Sequence, residues 1–153
     1  MCSYAGVGFT DGIAIDGNYF NAPSMPFVPG YEYVAEVVSF GPDTVAPVAV
    51  GKRVAVLSVV GGWQEFIVSP IDALVPLPDG TDPVKSIALV LNYVTAYQLI
   101  HREALLHRHG RGHGHADDGV DRQRVVLFTG ASGGVGLAFL ELVRLLPKPW
   151  KVY

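Results

Sequence analysis

A short apolar run, a glycine-rich turn and an apolar helical segment follow one another near the end of the sequence. Residues 125–128 read Val-Val-Leu-Phe, which is too apolar for a half-exposed strand and predicts a buried parallel strand. After the turn, residues 137–146 give a helix that is apolar on most sides, and Pro147 is expected to end it. This order of strand, turn and helix is typical of a dinucleotide-binding fold.

The turn fits the three slots of the dinucleotide fingerprint. Ala131 fills the first slot, where a small residue permits a tight turn. Gly133 would let the backbone approach a pyrophosphate, and Gly136 would let the helix pack against its strand. The start of the helix offers unpaired N–H groups to phosphates. The alternative is an ordinary strand-to-helix turn. We predict a cofactor site at Ala131, Ser132, Gly133, Gly134, Val135 and Gly136.

The composition is that of a globular protein with a core, since 50% of the 153 residues are hydrophobic and 16% are charged. A formal net charge of −3 argues against a nucleic-acid partner. Cys2 is the only cysteine, so no intrachain disulfide can form and nothing indicates an oxidising compartment. The apolar run at 87–100 is too short and too polar for a membrane span, and no signal peptide is evident. The sequence therefore predicts a cytoplasmic protein without a membrane partner.

Short predicted strands and frequent turns fill the first half of the chain. Residues 4–15 contain three glycines and are predicted to hold the end of a strand and a loop. Turns recur about every ten residues, which indicates a small barrel-like β-domain. The predicted strands are 33–40, 54–57, 64–68 and 73–77.

The pattern changes at Asp82, which is followed by Pro83 and is predicted to cap a helix. The helical segment is expected to run from residue 84 to about residue 106, with a break near Asn92. Its broad apolar pattern indicates burial on several sides. The chain thus passes from a β-domain through a buried helix into the start of a doubly wound domain.

Six short motifs follow one another along the chain. They are Gly-Val-Gly-Phe-Thr-Asp at 6–11, Pro-Phe-Val-Pro-Gly-Tyr-Glu at 26–32, Val-Gly-Lys-Arg-Val at 50–54, Gly-Trp-Gln-Glu-Phe at 62–66, Asn-Tyr-Val-Thr-Ala-Tyr at 92–97, and the turn at 130–136. In this order they resemble the motifs of the medium-chain dehydrogenase/reductases. The resemblance is greatest to the quinone oxidoreductase (zeta-crystallin-like) branch.

The resemblance implies an α/β fold, in which a partial GroES-like β-barrel domain precedes the first β-α unit of a Rossmann domain. It also implies a chain shortened at both ends. Residues 151–153 would open the second Rossmann strand, and the chain would stop before the residue that reads the ribose 2′ position. The implied segments are a partial GroES-like domain (1–82), a connecting helical segment (83–106), a loop insertion (107–124) and the start of the Rossmann domain (125–153).

The resemblance further implies a site without zinc. Where the alcohol dehydrogenase branch places its cysteine, histidine and cysteine ligands, this chain has Gly8, Tyr31 and Leu91. None of these can bind zinc through the usual thiolate or imidazole chemistry. We therefore expect no catalytic metal.

Without a Lewis acid, the chemistry expected is reduction of an already electrophilic conjugated system, such as a quinone or an α,β-unsaturated ketone. The resemblance implies NADPH as the cofactor, with NADH as the alternative, and a homodimer in the full-length form. Tyr19, Tyr31 and Thr95 are the candidate catalytic residues, and Thr95 is also a candidate cofactor ligand. Each has a structural alternative: Tyr19 as a loop cap, Tyr31 in packing, and Thr95 bonding back to a helix carbonyl.

A loop at 107–124 carries four histidines, His107, His109, His113 and His115, among glycines. Such histidines could bind a transition metal, but a solvated insertion is favoured because ordering glycine-rich chain is costly. For the chain as a whole, the alternatives to a reductase are a nucleotide-binding relative without turnover and a truncated product with neither property. The 153 residues alone are expected to bind cofactor weakly, to associate through uncovered apolar faces and to catalyse poorly.

Overall fold

The computed structural model describes residues 1–20, 23–104, 124–147 and 150–153. The chain forms two compact units, residues 1–91 (unit 1) and residues 92–153 (unit 2). The division lies within a helix, α2 (Pro83–Gln98). The limits of the four segments given above remain predictions. The histidine-bearing part of the predicted insertion lies outside the described residues.

Unit 1 is built on a four-stranded antiparallel sheet in the order β1-β2-β3-β4. Its central pair aligns Tyr33 with Val56 and Ala35 with Val54. These four side chains form one buried cluster, while Val34 and Ala55 are buried on the opposite face with Ile87 of α2. The strands are β1 (Cys2–Ala5), β2 (Glu32–Glu36), β3 (Arg53–Leu57) and β4 (Val75–Pro76).

The prediction of a loop up to residue 15 was wrong, because β1 is followed by a short helix, α1 (Phe9–Ile15). The carboxylate of Asp11, in the first turn of α1, accepts the N–H of Gly8 at 2.8 Å. This bond satisfies the residue before the helix, as acidic side chains at the third helical position commonly do. Glycine disfavours helices, so the glycines of this segment led to the prediction of a loop.

Two of the predicted strands were also wrong: one is shorter than predicted, and the other is not formed in the described structure. β2 ends at Glu36 rather than at residue 40, because the ladder with β3 begins only after Gly51, whose φ is +86°. Residues 64–68 form no strand in the described structure, although Glu65 accepts one backbone bond from Cys2. The preceding residues are instead bonded to the 28–30 loop, since Trp63 donates its N–H to Pro29.

The helix α2 confirms the predicted cap, since the N–H of Val84 donates to the Asp82 carboxylate at 2.9 Å. The expected break near Asn92 is absent: α2 passes through that residue and continues into a π-helical turn, Leu99–Glu103. In unit 2, Ala96 and Ile100 of this segment are fully buried. Burial on a continuous apolar face keeps the helix intact at this point.

The described residues of unit 2 form a β-α-β element. β5 (Arg124–Val126) pairs in parallel with β6 (Trp150–Val152), and α3 (Gly134–Val143) connects them. Phe128 stacks on Phe139 of α3, with ring centroids 4.3 Å apart. This element and the sheet of unit 1 confirm the predicted fold class and the strand expected at residues 151–153.

The run at 125–128 is less buried than predicted. Val126 and Phe128 pack against the core of unit 2, whereas Val125 is 55% exposed and Leu127 is 76% exposed. Side chains alternate between the faces of a strand, and α3 lies on one face only. The described residues therefore cover one side of this strand.

Candidate active site

The turn between β5 and α3 has the geometry of an anion-binding helix start. Gly130 has a φ of +72°, and the N–H of Gly133 donates to its carbonyl at 3.1 Å. The first bond of the helix type runs from the N–H of Leu137 to the carbonyl of Gly133, at 2.9 Å. The N–H groups of residues 134–136 precede that bond and point out of the helix start, where phosphate oxygens could accept them.

The glycines of the turn differ in what surrounds them. A Cβ atom placed on Gly136 would lie 2.5 Å from both Cα and the carbonyl oxygen of Ala131, so the helix rests directly on the turn. A Cβ atom on Gly133 would meet only the carbonyl oxygen of Gly130, at 3.4 Å. Gly136 is thus needed by the fold, whereas Gly133 borders open space.

These contacts add two details to the sequence interpretation. The left-handed backbone of the turn lies at Gly130, the residue before the fingerprint. The atoms nearest to a Cβ atom on Gly136 belong to Ala131 of the turn. Neither detail follows from the spacing of small residues, because spacing does not reveal which residue adopts positive φ.

Asn92 of α2 lies against the same turn, a placement that the sequence did not predict. A Cβ atom on Gly134 would lie 2.6 Å from Asn92 Nδ2. Thr95 is half-buried, three residues further along α2, and residues at this spacing are neighbours on a helix surface. The one available signal was a polar residue within an apolar helical run.

In unit 1, Asp11 joins two of the sequence motifs. Its side chain is only 3% exposed, and its second carboxylate oxygen accepts the N–H of Gly30 at 3.1 Å. With the bond from Gly8, the carboxylate links the segments at 6–11 and 26–32. A buried carboxylate needs such donors to offset the loss of hydration.

Trp63 brings a third motif to the same place. Its Nε1–H donates to the carbonyl of Gly6 at 2.8 Å, and its backbone N–H donates to Pro29 at 2.9 Å. Gly30 lies beneath it with a φ of +106°. A Cβ atom on Gly30 would come within 2.5 Å of Trp63 Cδ1 and 2.7 Å of Gly62 Cα. The three segments therefore pack at distances that only glycine permits.

Glu32 is the second carboxylate of this region. Its Oε2 accepts the N–H of Leu91 at 2.6 Å, and a Cβ atom on Gly6 would lie 2.4 Å from its Oε1. Burial raises the pKa of Glu32, the Leu91 N–H opposes this, and the charge of Asp11 raises the pKa further. Glu32 thus acts as a structural acceptor for the helix α2.

Tyr19 and Tyr31 form a hydrogen-bonded pair of phenols in unit 1, with their oxygens 2.8 Å apart. The rings meet edge to face at 6.2 Å, and Phe20 lies 4.9 Å from the Tyr19 ring. Burial, the bond to Tyr19 and the charge of Asp11 raise the pKa of Tyr31 to about 12. Tyr31 therefore keeps its proton across the physiological pH range.

The structure brings two of the three candidate catalytic residues together. Tyr19 and Tyr31 are direct partners, which the sequence could not show because the residues are twelve positions apart. Thr95 lies in unit 2, as does the turn at residues 130–136 (the phosphate turn). The catalytic roles of all three residues and the cofactor-binding role of Thr95 remain predictions.

The profile of the alcohol dehydrogenase GroES-like domain matches residues 2–79 of this chain. Among curated relatives, rat quinone oxidoreductase is 35% identical over 129 residues, which cover 84% of this chain. The chain belongs to the quinone oxidoreductase branch of the medium-chain dehydrogenase/reductases. It is therefore a member of an oxidoreductase family.

Other relatives in this branch are named for a membrane. The mouse synaptic vesicle membrane protein VAT-1 homolog-like is 31% identical over 142 residues, which cover 93% of this chain. The chain spans about 30% of that relative's length and 35% of the length of the rat quinone oxidoreductase. Within the described ranges, every helix lacks the length and apolarity needed to cross a membrane.

Solved structures of this family share the fold. A quinone oxidoreductase from Pseudomonas syringae pv. tomato matches 99% of this chain with a TM-score of 0.77 and 28% identity. The quinone oxidoreductase of Thermus thermophilus, solved also as a complex with NADPH, matches 97% of the chain with a TM-score of 0.67 and 27% identity. The chain covers 41% and 40% of these two structures, respectively.

Proposed function

We propose that the protein is a zinc-independent, NAD(P)H-dependent oxidoreductase that reduces quinones or α,β-unsaturated ketones. The observation that carries the proposal is the turn at 130–136. Ala131 leaves no room for a side chain at Gly136, whereas Gly133 borders open space. That difference fits a backbone shaped for a diphosphate. The NADPH complex of the Thermus relative and the names of the quinone oxidoreductases support it.

The residues of the turn fit a nicotinamide dinucleotide. The N–H groups of Gly134, Val135 and Gly136 would hold the diphosphate, with the positive end of the α3 dipole behind them. Ala131, Ser132 and Gly133 would border it, and Thr95 would contact the cofactor from α2. A reduced nicotinamide supplies the hydride for the reaction. NADPH is proposed over NADH because of the relatives' complexes.

The Tyr19–Tyr31 pair would serve the substrate oxygen. Two phenols that share one hydrogen bond use one of their two hydrogens, so the accepting phenol keeps an O–H to donate. Its donation would stabilise negative charge on a quinone or ketone oxygen during reduction. Tyr31, with a pKa of about 12, keeps its proton at neutral pH, so its ionisation does not disrupt the pair there.

The three positions that hold zinc in the alcohol dehydrogenase branch do not fit a metal here. Gly8 has no side chain and Leu91 has no donor atom, while the Tyr31 hydroxyl is bonded to Tyr19. No group of three or more potential ligands lies close together within the described segments.

Replacing Gly133 with valine is expected to weaken NADPH binding at least tenfold while unit 2 stays folded. The backbone at Gly133 has a φ of −78°, which any residue adopts, and a Cβ atom meets one atom at 3.4 Å. The added methyl groups would occupy the space where a phosphate must lie. Dissociation constants from fluorescence titration and melting curves would be measured for both proteins.

The wild type and the Gly133→Val variant would also be assayed for NADPH oxidation with a panel of quinones and enones, each with and without EDTA. Turnover that resists EDTA supports a metal-free reductase. Turnover lost in EDTA and restored by zinc contradicts zinc independence. Equal NADPH affinities in the two proteins would remove the cofactor assignment.

Tyr31→Phe is expected to slow quinone reduction roughly tenfold or more, because a hydrogen bond to a charged oxygen contributes about 1.5–3 kcal/mol. NADPH affinity should not change, since this phenol is assigned to the substrate oxygen and not to the cofactor. The wild-type rate should show no Tyr31 titration below about pH 10, given its raised pKa. Tyr4→Phe is the matched control, because Tyr4 is 44% exposed on β1. Equal kcat values for the two variants would contradict the role of Tyr31.

A second candidate function is nucleotide binding without turnover. It is favoured by the relatives that are named for a synaptic vesicle membrane rather than for a reaction. The assays above separate the two functions, since this candidate predicts NADPH binding with no acceptor reduced. A homodimer of the full-length form and a cytoplasmic location remain proposals from the family resemblance.

A further inference from the structure

The carboxamide of Asn92 lies flat on the first residue of α3. A Cβ atom on Gly134 would lie 2.6 Å from its Nδ2, 2.8 Å from Cγ and 2.9 Å from Oδ1. Because these three distances are nearly equal, the face of the amide covers Gly134, and the edges that carry its hydrogen-bonding groups point sideways. Gly134 must lack a side chain for the amide to lie there.

This carboxamide is half-buried, so part of it stays open to water or to a ligand at the turn. It lies next to a cluster of backbone donors, where a ligand that binds those donors would also come within its reach. The backbone donors at this point are the N–H groups of residues 134–136, which precede the first helix bond. Asn92 adds a side-chain donor to them.

The position is fixed from α2 rather than by the turn itself. Ala96, one helical turn after Asn92, is fully buried with Ala138, which lies one turn after Gly134 on α3. Tyr93 is hydrogen-bonded to Glu141 further along α3. These contacts hold α2 against α3 and keep the amide in place over Gly134.

We propose that Asn92 is a cofactor-binding residue that donates a hydrogen bond from Nδ2 to a diphosphate oxygen held at the turn. The inference rests on the proposed function. An oxygen that accepts the N–H of Gly134 lies about 3 Å from that nitrogen, and the amide covers the same residue. Asn92 would therefore strengthen the binding of ligands that contain a diphosphate and not of ligands that lack one.

The test compares NADPH and inorganic pyrophosphate binding in the wild type and in the Asn92→Asp and Asn92→Ala variants. Loss of a donor to a charged oxygen should weaken both ligands roughly tenfold in Asn92→Ala. Asn92→Asp has nearly the same shape and adds like charge, so it should weaken them further. A carboxylate near the start of α3 favours the helix dipole, so its melting temperature should be unchanged or higher.

Opposite shifts of stability and affinity in Asn92→Asp cannot come from lost packing. Gln98→Glu, an exposed site on the same helix, makes the same charge change and should bind like the wild type. NADPH affinity of Asn92→Asp within twofold of wild type overturns the inference, as does weakening of NADPH alone with pyrophosphate unaffected. If Asn92→Asp does not fold, Asn92→Ala decides by the same criterion.

The Gly133→Val variant separates this inference from the proposed function. Wild-type binding that Gly133→Val abolishes and Asn92→Asp leaves intact would overturn the role of Asn92 alone. A wild type that binds neither NADPH nor pyrophosphate would overturn both proposals.

Discussion

Gly30→Ala is expected to lower the free energy of unfolding of unit 1 by about 3 kcal/mol, since it combines backbone strain with a steric clash. The backbone at Gly30 has a φ of +106°, a conformation that residues with a side chain rarely adopt. The new methyl group would lie 2.7 Å from Gly62 Cα and from the backbone nitrogen of Trp63. Neither backbone atom can retreat alone, because Trp63 is bonded to Gly6 and Pro29.

The control variant Gly80→Ala measures the cost of backbone strain in the absence of a steric clash. Gly80 has a φ of +82°, and a Cβ atom there would meet nothing within 4 Å. Its expected cost is the backbone contribution alone, about 1 kcal/mol. Urea unfolding of both variants, followed by amide exchange in β2 and β3, measures the difference. Equal losses of stability would show that the packing of Gly30 against Trp63 contributes nothing.

The elements that the sequence predicted correctly are those fixed by local chemistry. Asp82 and Pro83 start α2 because a carboxylate satisfies free N–H groups and proline needs none at that point. β3 follows from consecutive apolar residues after a glycine turn. The turn at 130–136 could be located because the contact that requires Gly136 is made to Ala131, within the same short segment.

The errors and omissions depend on contacts distant in sequence. α1 was missed because its glycines argue against a helix, while Asp11, which caps it, is also held by Gly30 nineteen residues away. Residues 64–68 have the composition of a strand, but the bonds of Trp63 to the 28–30 loop leave only one bond to β1. The Tyr19–Tyr31 pair and the amide of Asn92 likewise appear only after folding.

Gly136→Ala is the change expected to damage unit 2 most directly. Alanine is normally better than glycine inside a helix, by about 1 kcal/mol. Here the new Cβ atom would lie 2.5 Å from the Cα and carbonyl oxygen of Ala131, which are backbone atoms of the turn. Overpacking of this kind costs about 1–3 kcal/mol, and more where backbone must move, so we expect a net loss of about 2 kcal/mol.

The matched control is Gly133→Ala, because its Cβ atom meets only the Gly130 carbonyl oxygen, at 3.4 Å. Amide exchange in β5 and α3 would report the stability of unit 2 in each variant, and NADPH titration would report the turn. Gly136→Ala should lose protection and affinity together, since the helix can no longer rest on the turn. Gly133→Ala should keep its protection. If the amides of Gly136→Ala kept their full protection from exchange, Ala131 would not support α3. Other residues would then have to form the side of the phosphate turn that packs against the helix.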